Sequence, residues 1–168
     1  NYRYFLDAVL PVAEKAGVTL ALHPDDPPVS PLRGVARIFT SVAAFDRALA
    51  MSTSPFHALT FCQGTFRLME PSLPALIQHF GKRIAFAHVR DTEGVPERFN
   101  ECFHDNGPTS MAGVFQAYHG IGYNGFYRPD HVPTLEGESN EQPGYARLGR
   151  LFAVGYLRGI QEGLHHQN

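Results

Sequence analysis

Four short apolar runs recur along the chain, separated by segments of helical periodicity, and this alternation constrains the fold more than any other feature. The runs are VTLAL (18–22), HALTF (57–61), RIAFA (83–87) and the weaker GFYRP (125–129). Residues 4–17 place Phe5, Val9, Val12 and Ala16 at helical spacing, with Pro11 as an interior kink and Gly17 as the stop. Residues 41–50 follow, with Ser41 as N-cap and Val42, Phe45 and Leu49 on one face. A third helix, 72–81, runs from a Ser72 cap through Leu73, Leu76, Ile77 and Phe80 to Gly81. Met111, Val114, Phe115 and Tyr118 mark a fourth in 110–120, and 145–164 reads as a long helix despite its glycines. Gly64 ends the second strand, a polar loop follows the third, and the proline-rich PDDPPVSPLRG (24–34) reads as a rigid, shaped loop. Continuous apolar strands alternating with helices belong to a parallel α/β sheet covered on its faces.

Bulk properties narrow the function classes. A length of 168 residues suits one domain. A net charge of -2, without Lys or Arg clusters, carries no polyanion-binding signature, so nucleic acid is not expected as a partner. No apolar stretch approaches the ~20 residues that span a bilayer, and no signal peptide is visible, so no membrane partner is expected. Two cysteines, Cys62 and Cys102, do not make a disulfide framework, and a reducing cytoplasm fits them. His165 and His166 fall in a frayed tail. The chain begins at Asn1 directly in a helical pattern, which raises the expectation of a fragment.

Each apolar run is followed by a side chain able to bind a metal: His23, Cys62, His88 and Asp130. In a parallel α/β sheet the carboxyl ends of the strands share one edge. Neighbouring strands lie ~4.8 Å apart, so these four side chains can converge on one ion. A lone histidine or cysteine after a strand is commonly just packed, and Asp130 could simply cap a turn; four in succession favour a site. Two imidazoles, a thiolate and a carboxylate suit a divalent transition metal such as Zn, Fe(II), Mn or Co, and suit Mg poorly. Asp25 and Asp26 either shape the first loop, orient His23 or make turns between prolines. His57, His79 and His119 read as structural or solvent-facing, and Arg67 and Arg83 as surface charges. His104, Asp105 and Asn106 lie in a loop on the ligand-bearing edge.

The segments LALHPDDPP, FCQGT, FAHVRDT, YRPDH and QPGYARLGRLFAVGYLRG resemble the carboxyl-terminal half of mannonate dehydratase, over residues 15–164. The resemblance implies four βα units of a (β/α)8 TIM barrel of the xylose-isomerase-like type, so that residues 1–168 form a single partial barrel. It implies Mn2+ or Fe2+ held by His23, Cys62, His88 and Asp130. It places the acid/base pair on His131 and Tyr145, and substrate contacts on Arg128, Arg90 and His104. Three departures are CQG for the family's usual CTG, HVR for HLR, and Val132 after His131 where glycine is common; none removes a ligand. A full barrel needs ~250 residues, and a half-barrel would expose two sheet edges that favour a homo-oligomer.

The implied reaction dehydrates a sugar acid, D-mannonate, to 2-keto-3-deoxy-D-gluconate in hexuronate catabolism. The proton alpha to a carboxylate leaves, the neighbouring hydroxyl is expelled, and charge builds up as an enediolate. An arginine fork suits the carboxylate, and an acid and a base are required. The residues leave open which of His131 and Tyr145 does which. A sugar isomerase or epimerase on the same barrel, or a non-catalytic truncated domain, are the competing readings.

Overall fold

The computed structural model describes residues 1–165; His166 lies outside the described residues. Its elements are α1 (Tyr2–Ala16), β1 (Leu20–Leu22), α2 (Val42–Leu49), β2 (His57–Cys62), α3 (Gln63–Met69), α4 (Leu73–Phe80), β3 (Ile84–Val89), β4 (Asp91–Val95), β5 (Arg98–Cys102), α5 (Met111–Gly120), β6 (Phe126–Pro129) and α6 (Arg147–His165). The four apolar runs form one sheet in the order β1-β2-β3-β6. All three pairings in it are parallel. No helix among the described residues is long and apolar enough to cross a membrane.

Strand alternation divides the sheet into two chemical faces. Leu59, Phe61, Ala87 and Val89 join Phe45, Phe66, Leu76, Ile77, Phe80, Val114 and Tyr118 in one core, so the helices pack on that face. Phe61 and Phe66 stack with centroids 4.6 Å apart at 7°, which locks α3 onto β2. Thr60, Cys62, Phe86 and His88 take the intervening positions and point to the other face. The register sets Cys62 against His88 and His88 against Arg128, one row across three strands. Asp130 is two residues beyond Arg128, and its N–H extends the ladder by donating to Val89 O at 3.0 Å.

Local signals act largely as their chemistry demands. Ser41 Oγ accepts from Ala44 N at 3.3 Å, and Gly17 ends α1 at φ 66°, where a side chain would be strained. Ser72 makes no side-chain cap. In α1 the buried residues are Leu6, Leu10 and Ala13, one position round from the expected stripe. Phe5 and Val12 are exposed, because this helix is apolar on more than one side. Arg83 is not a free surface charge: its NH2 donates to the carbonyls of Leu49, Ser52 and His57, tying α2 to β2.

Two elements interrupt the simple βα alternation. Gly64 does not close β2 but lies inside α3, which starts immediately after Cys62. The polar loop expected after β3 is an antiparallel hairpin, β4 paired with β5. Gly94 takes φ 130° in the hairpin, and a Cβ there would lie 2.4 Å from Arg98 O.

The stacked rings at the centre of this core set a test. Phe61→Ala is expected to lower unfolding free energy by about 3–5 kcal/mol, read by urea denaturation; a loss under ~1 kcal/mol would mean that the sheet does not depend on this core.

Candidate metal centre and active site

His23, Cys62 and His88 each offer one ligand atom, and the three atoms lie within 4.8 Å of one another. The strand register produces this convergence, since Cys62 and His88 are direct partners and His23 follows β1 on the neighbouring strand. His23 Nδ1 donates to Pro24 O at 2.7 Å, which leaves the Nε2 lone pair available. Thr65 Oγ1 donates to Cys62 Sγ at 3.2 Å, so the sulfur is oriented by the first turn of α3. His88 Nδ1 is buried without a hydrogen-bond partner, an unusual condition for a buried imidazole nitrogen. Asp130 borders the trio, its Oδ2 4.0 Å from Cys62 Sγ and 3.8 Å from His88 Nδ1. Two imidazoles, a sulfur and a carboxylate around an unsatisfied nitrogen fit a divalent transition metal.

Arg128 reaches across the row. Its NH1 lies 3.2 Å from His88 Nε2 and its NH2 donates to Asp130 Oδ1 at 3.2 Å, while the side chain stays 37% exposed. His131, next in the chain to Asp130 and touching Arg90 as Asp130 does, meets Tyr145, with His131 Nε2 3.0 Å from Tyr145 Oη. A backbone bond from Val132 N to Gly144 O draws their two segments together. The metal candidates, Arg128, His131 and Tyr145 therefore share one rim.

Two expected substrate contacts, Arg90 and His104, are buried among the described residues. Arg90 is 0% exposed. Its NH2 donates to Asp26 Oδ2 at 2.7 Å and Thr65 Oγ1 at 3.1 Å, and its NH1 to Glu101 Oε1 at 2.7 Å. Burial disfavours its charge, but Cys62, Glu101, Asp26 and Asp130 together raise its pKa further above the ordinary arginine value. Gly64 makes room for this side chain, since a Cβ there would lie 2.5 Å from Arg90 Nε. His104 is buried too, its Nε2 donating to Val89 O at 2.8 Å, and it braces the segment after the hairpin against β3.

Glu101 and Thr65 are the contributors that residue patterns did not select. Glu101 sits on β5, in the stretch that reads as a loop. Asp26 pairs with Arg90 and not with His23, while Asp25 accepts from Ile38 N, Phe39 N and Arg37 Nε and so shapes the first loop. Cys62 and Cys102 are both free.

Burial also pushes the pKa of both His57 and His104 below the ordinary 6.5; Arg83 adds to the effect at His57, and nearby acids oppose it at His104. In the unfolded chain these rings take up protons as pH falls through about 6.5, whereas the folded chain resists. Their contribution to stability is therefore complete above that pH and is lost as pH drops toward the depressed folded values. His104→Gln, which keeps a donor for Val89 O, is expected to flatten the acid side of the curve of thermal midpoint against pH. Equal acid sensitivity in variant and wild type would refute this.

Comparison with known proteins places this arrangement. The whole chain, residues 1–168, matches the sequence profile of the family D-mannonate dehydratase (UxuA). Mannonate dehydratase 2 of Halalkalibacterium halodurans is 41% identical over 96% of this chain and 48% of its own length. The crystal structure of mannonate dehydratase from Streptococcus suis superposes with a TM-score of 0.88 at 32% identity, over 96% of this chain and 47% of that one. A xylose isomerase domain protein from Alicyclobacillus acidocaldarius superposes at TM-score 0.60 and 16% identity, over 95% of this chain and 56% of that one, a likeness of fold alone. The parallel α/β half-sheet is thus part of a xylose-isomerase-like TIM barrel, and the chain spans about half the length of the curated relatives it matches. By its full-length profile match and this shared fold, the chain belongs to the mannonate dehydratase family.

Proposed function

We propose that this chain carries the metal-binding and acid/base portion of a hydro-lyase that converts D-mannonate to 2-keto-3-deoxy-D-gluconate and water, in the catabolism of hexuronates. The observation that carries the reading is the convergence of His23, Cys62 and His88 within 4.8 Å, beside Asp130 and on the same rim as His131 and Tyr145, in a chain of this family. Those four residues would hold Mn2+ or Fe2+, which when bound supplies Lewis acidity toward the substrate's carboxylate or α-hydroxyl.

The remaining chemistry belongs to side chains of this chain. Arg128 is the partly exposed cation at the rim, suited to receive the substrate carboxylate by its fork. His131 and Tyr145, in mutual contact and both partly open, are placed to exchange a proton with the sugar acid and with the departing hydroxyl. Thr65 keeps the Cys62 sulfur turned to the site, and His23 is oriented by its bond to Pro24 O.

A keto-deoxy-acid assay on D-mannonate, with Mn2+ or Fe2+ added, tests the reading in this chain and, by equivalent substitutions, in a full-length relative. His131→Gln and Tyr145→Phe are each expected to lower turnover by about 10²- to 10⁴-fold with metal content unchanged. His23→Ala is expected to lose bound metal and activity together. Substrate that is isomerised or epimerised without loss of water would replace the lyase reading; unchanged metal content and turnover in His23→Ala would remove it.

We further propose that the chain is cytoplasmic, in keeping with its free cysteines, and that it self-associates. The outer strands β1 and β6 of the parallel sheet leave open edges among the described residues, and Phe126 on β6 is 83% exposed. Sedimentation is expected to give a species larger than the 18.6 kDa chain; a monomer at micromolar concentration would overturn it.

A further inference from the structure

His131 Nδ1 has two neighbours that ask opposite things of it. Arg90 NH1 lies 2.5 Å away, and Glu101 Oε1 lies 3.2 Å away. A carboxylate needs a proton on Nδ1, whereas a guanidinium, which only donates, needs a lone pair there. The geometry decides between them. At 2.5 Å, a hydrogen on Nδ1 would collide with the hydrogen on Arg90 NH1. The Glu101 contact is longer than the ~2.7–2.9 Å of a charge-assisted bond, and Glu101 Oε1 already accepts from Arg90 NH1 at 2.7 Å. One NH1 carries two hydrogens, enough to serve Glu101 and His131 together. Nor is Arg90 free to withdraw: it is 0% exposed, and Asp26 and Thr65 fix its other nitrogen.

We propose that Arg90, clamped by Asp26 and Glu101, is a positioning residue that fixes neutral His131 in the tautomer with its proton on Nε2, directed at Tyr145. With Nδ1 occupied as acceptor, the single ring proton must sit on Nε2, 3.0 Å from the Tyr145 oxygen that accepts it. The phenol hydrogen is then released for another acceptor. His131 at rest holds a proton to give at Nε2 and has no lone pair there to take one. The catalytic meaning of this state rests on the lyase reading above; the tautomer itself does not.

Nitrogen chemical shifts report tautomers directly. The full 168-residue chain labelled with 15N-histidine is examined by long-range proton–nitrogen correlation at a pH above the histidine range, and His131 is assigned by the signal missing in His131→Gln. The expected pattern is an unprotonated, acceptor-type Nδ1 and a protonated Nε2. The reverse pattern, intermediate averaged shifts or two protonated nitrogens would each overturn the proposal. Glu101→Gln, whose amide oxygen still accepts from Arg90, is expected to keep the wild-type pattern. A switch to protonated Nδ1 in that variant would show that the carboxylate orients the ring, against the proposal. Arg90→Met is expected to bring the two shifts toward their mean; should it fail to fold, the wild-type spectrum already decides. No turnover is measured, so failure here and failure of the lyase reading are separate results.

Discussion

The buried guanidinium of Arg90 organises the functional edge of this molecule. A charge at 0% exposure is costly unless it is paired and hydrogen-bonded. The groups that pair with it come from four places in the sequence: Asp26 from the loop after β1, Thr65 from α3 and Glu101 from β5 by hydrogen bonds, and Asp130 from the end of β6 as a charge whose Oδ2 lies 3.8 Å from Nε. Buried ion pairs are poor evidence for net stability, but leaving one member alone costs several kcal/mol. Each loop is thus held by the penalty of abandoning a common charge. The same loops carry or adjoin His23, Cys62, Asp130 and His131, so the cage that neutralises Arg90 also sets the spacing of the candidate ligands. Gly64 is part of this arrangement, since any larger residue would contest the space that the side chain fills.

Thr65 links that cage to the sulfur. It accepts from Arg90 NH2 and donates to Cys62 Sγ, so one hydroxyl conveys the position of the cation to a candidate ligand. On the opposite flank, Arg128 pairs with Asp130 and lies against His88. Two arginines therefore frame the trio, one enclosed and one partly open. Their difference in exposure separates the cation that ties the loops together from the one that keeps its guanidinium partly open to solvent.

The strands were readable from sequence because burial on a parallel sheet writes itself as unbroken apolar runs, and a His, Cys or Asp stands out beside each, although β2 ends at Cys62 and not at Gly64. Helix ends were readable where a cap has definite chemistry, as at Ser41 and Gly17. The β4–β5 hairpin was not, because its strands, DTEGV and RFNEC, are polar and lack the apolar alternation that marks a half-buried strand. Glu101 and its contact with Arg90 were hidden with it. The stripe on α1 was misplaced by one residue because Phe5 and Val12 make an apolar face as plausible as Leu6, Leu10 and Ala13; the choice between them is made by packing. The resemblance assigns Arg90 and His104 to substrate contact, and the burial of both side chains shows only in the folded chain, where residues distant in sequence enclose them.

The ligand row and the containment of a substrate differ in what they require. Cys62, His88 and Arg128 are aligned by backbone ladders within β2, β3 and β6, and His23 is brought alongside by β1, so their relative placement is fixed by hydrogen bonds internal to this chain. The helix-facing core locks those strands from behind. Among the described residues, the face that carries the candidate ligands has no comparable layer over it at β6, where Phe126 is 83% exposed. Electrostatic assistance to an enediolate grows as water is excluded. It follows that the spacing of the candidate ligands rests on these four strands and on the Arg90 cage, whereas catalysis at an ion held there would depend also on what covers the ligand-bearing face. Variants of the donor set and variants of the cover should accordingly separate, the first acting on metal affinity and the second on turnover at saturating metal.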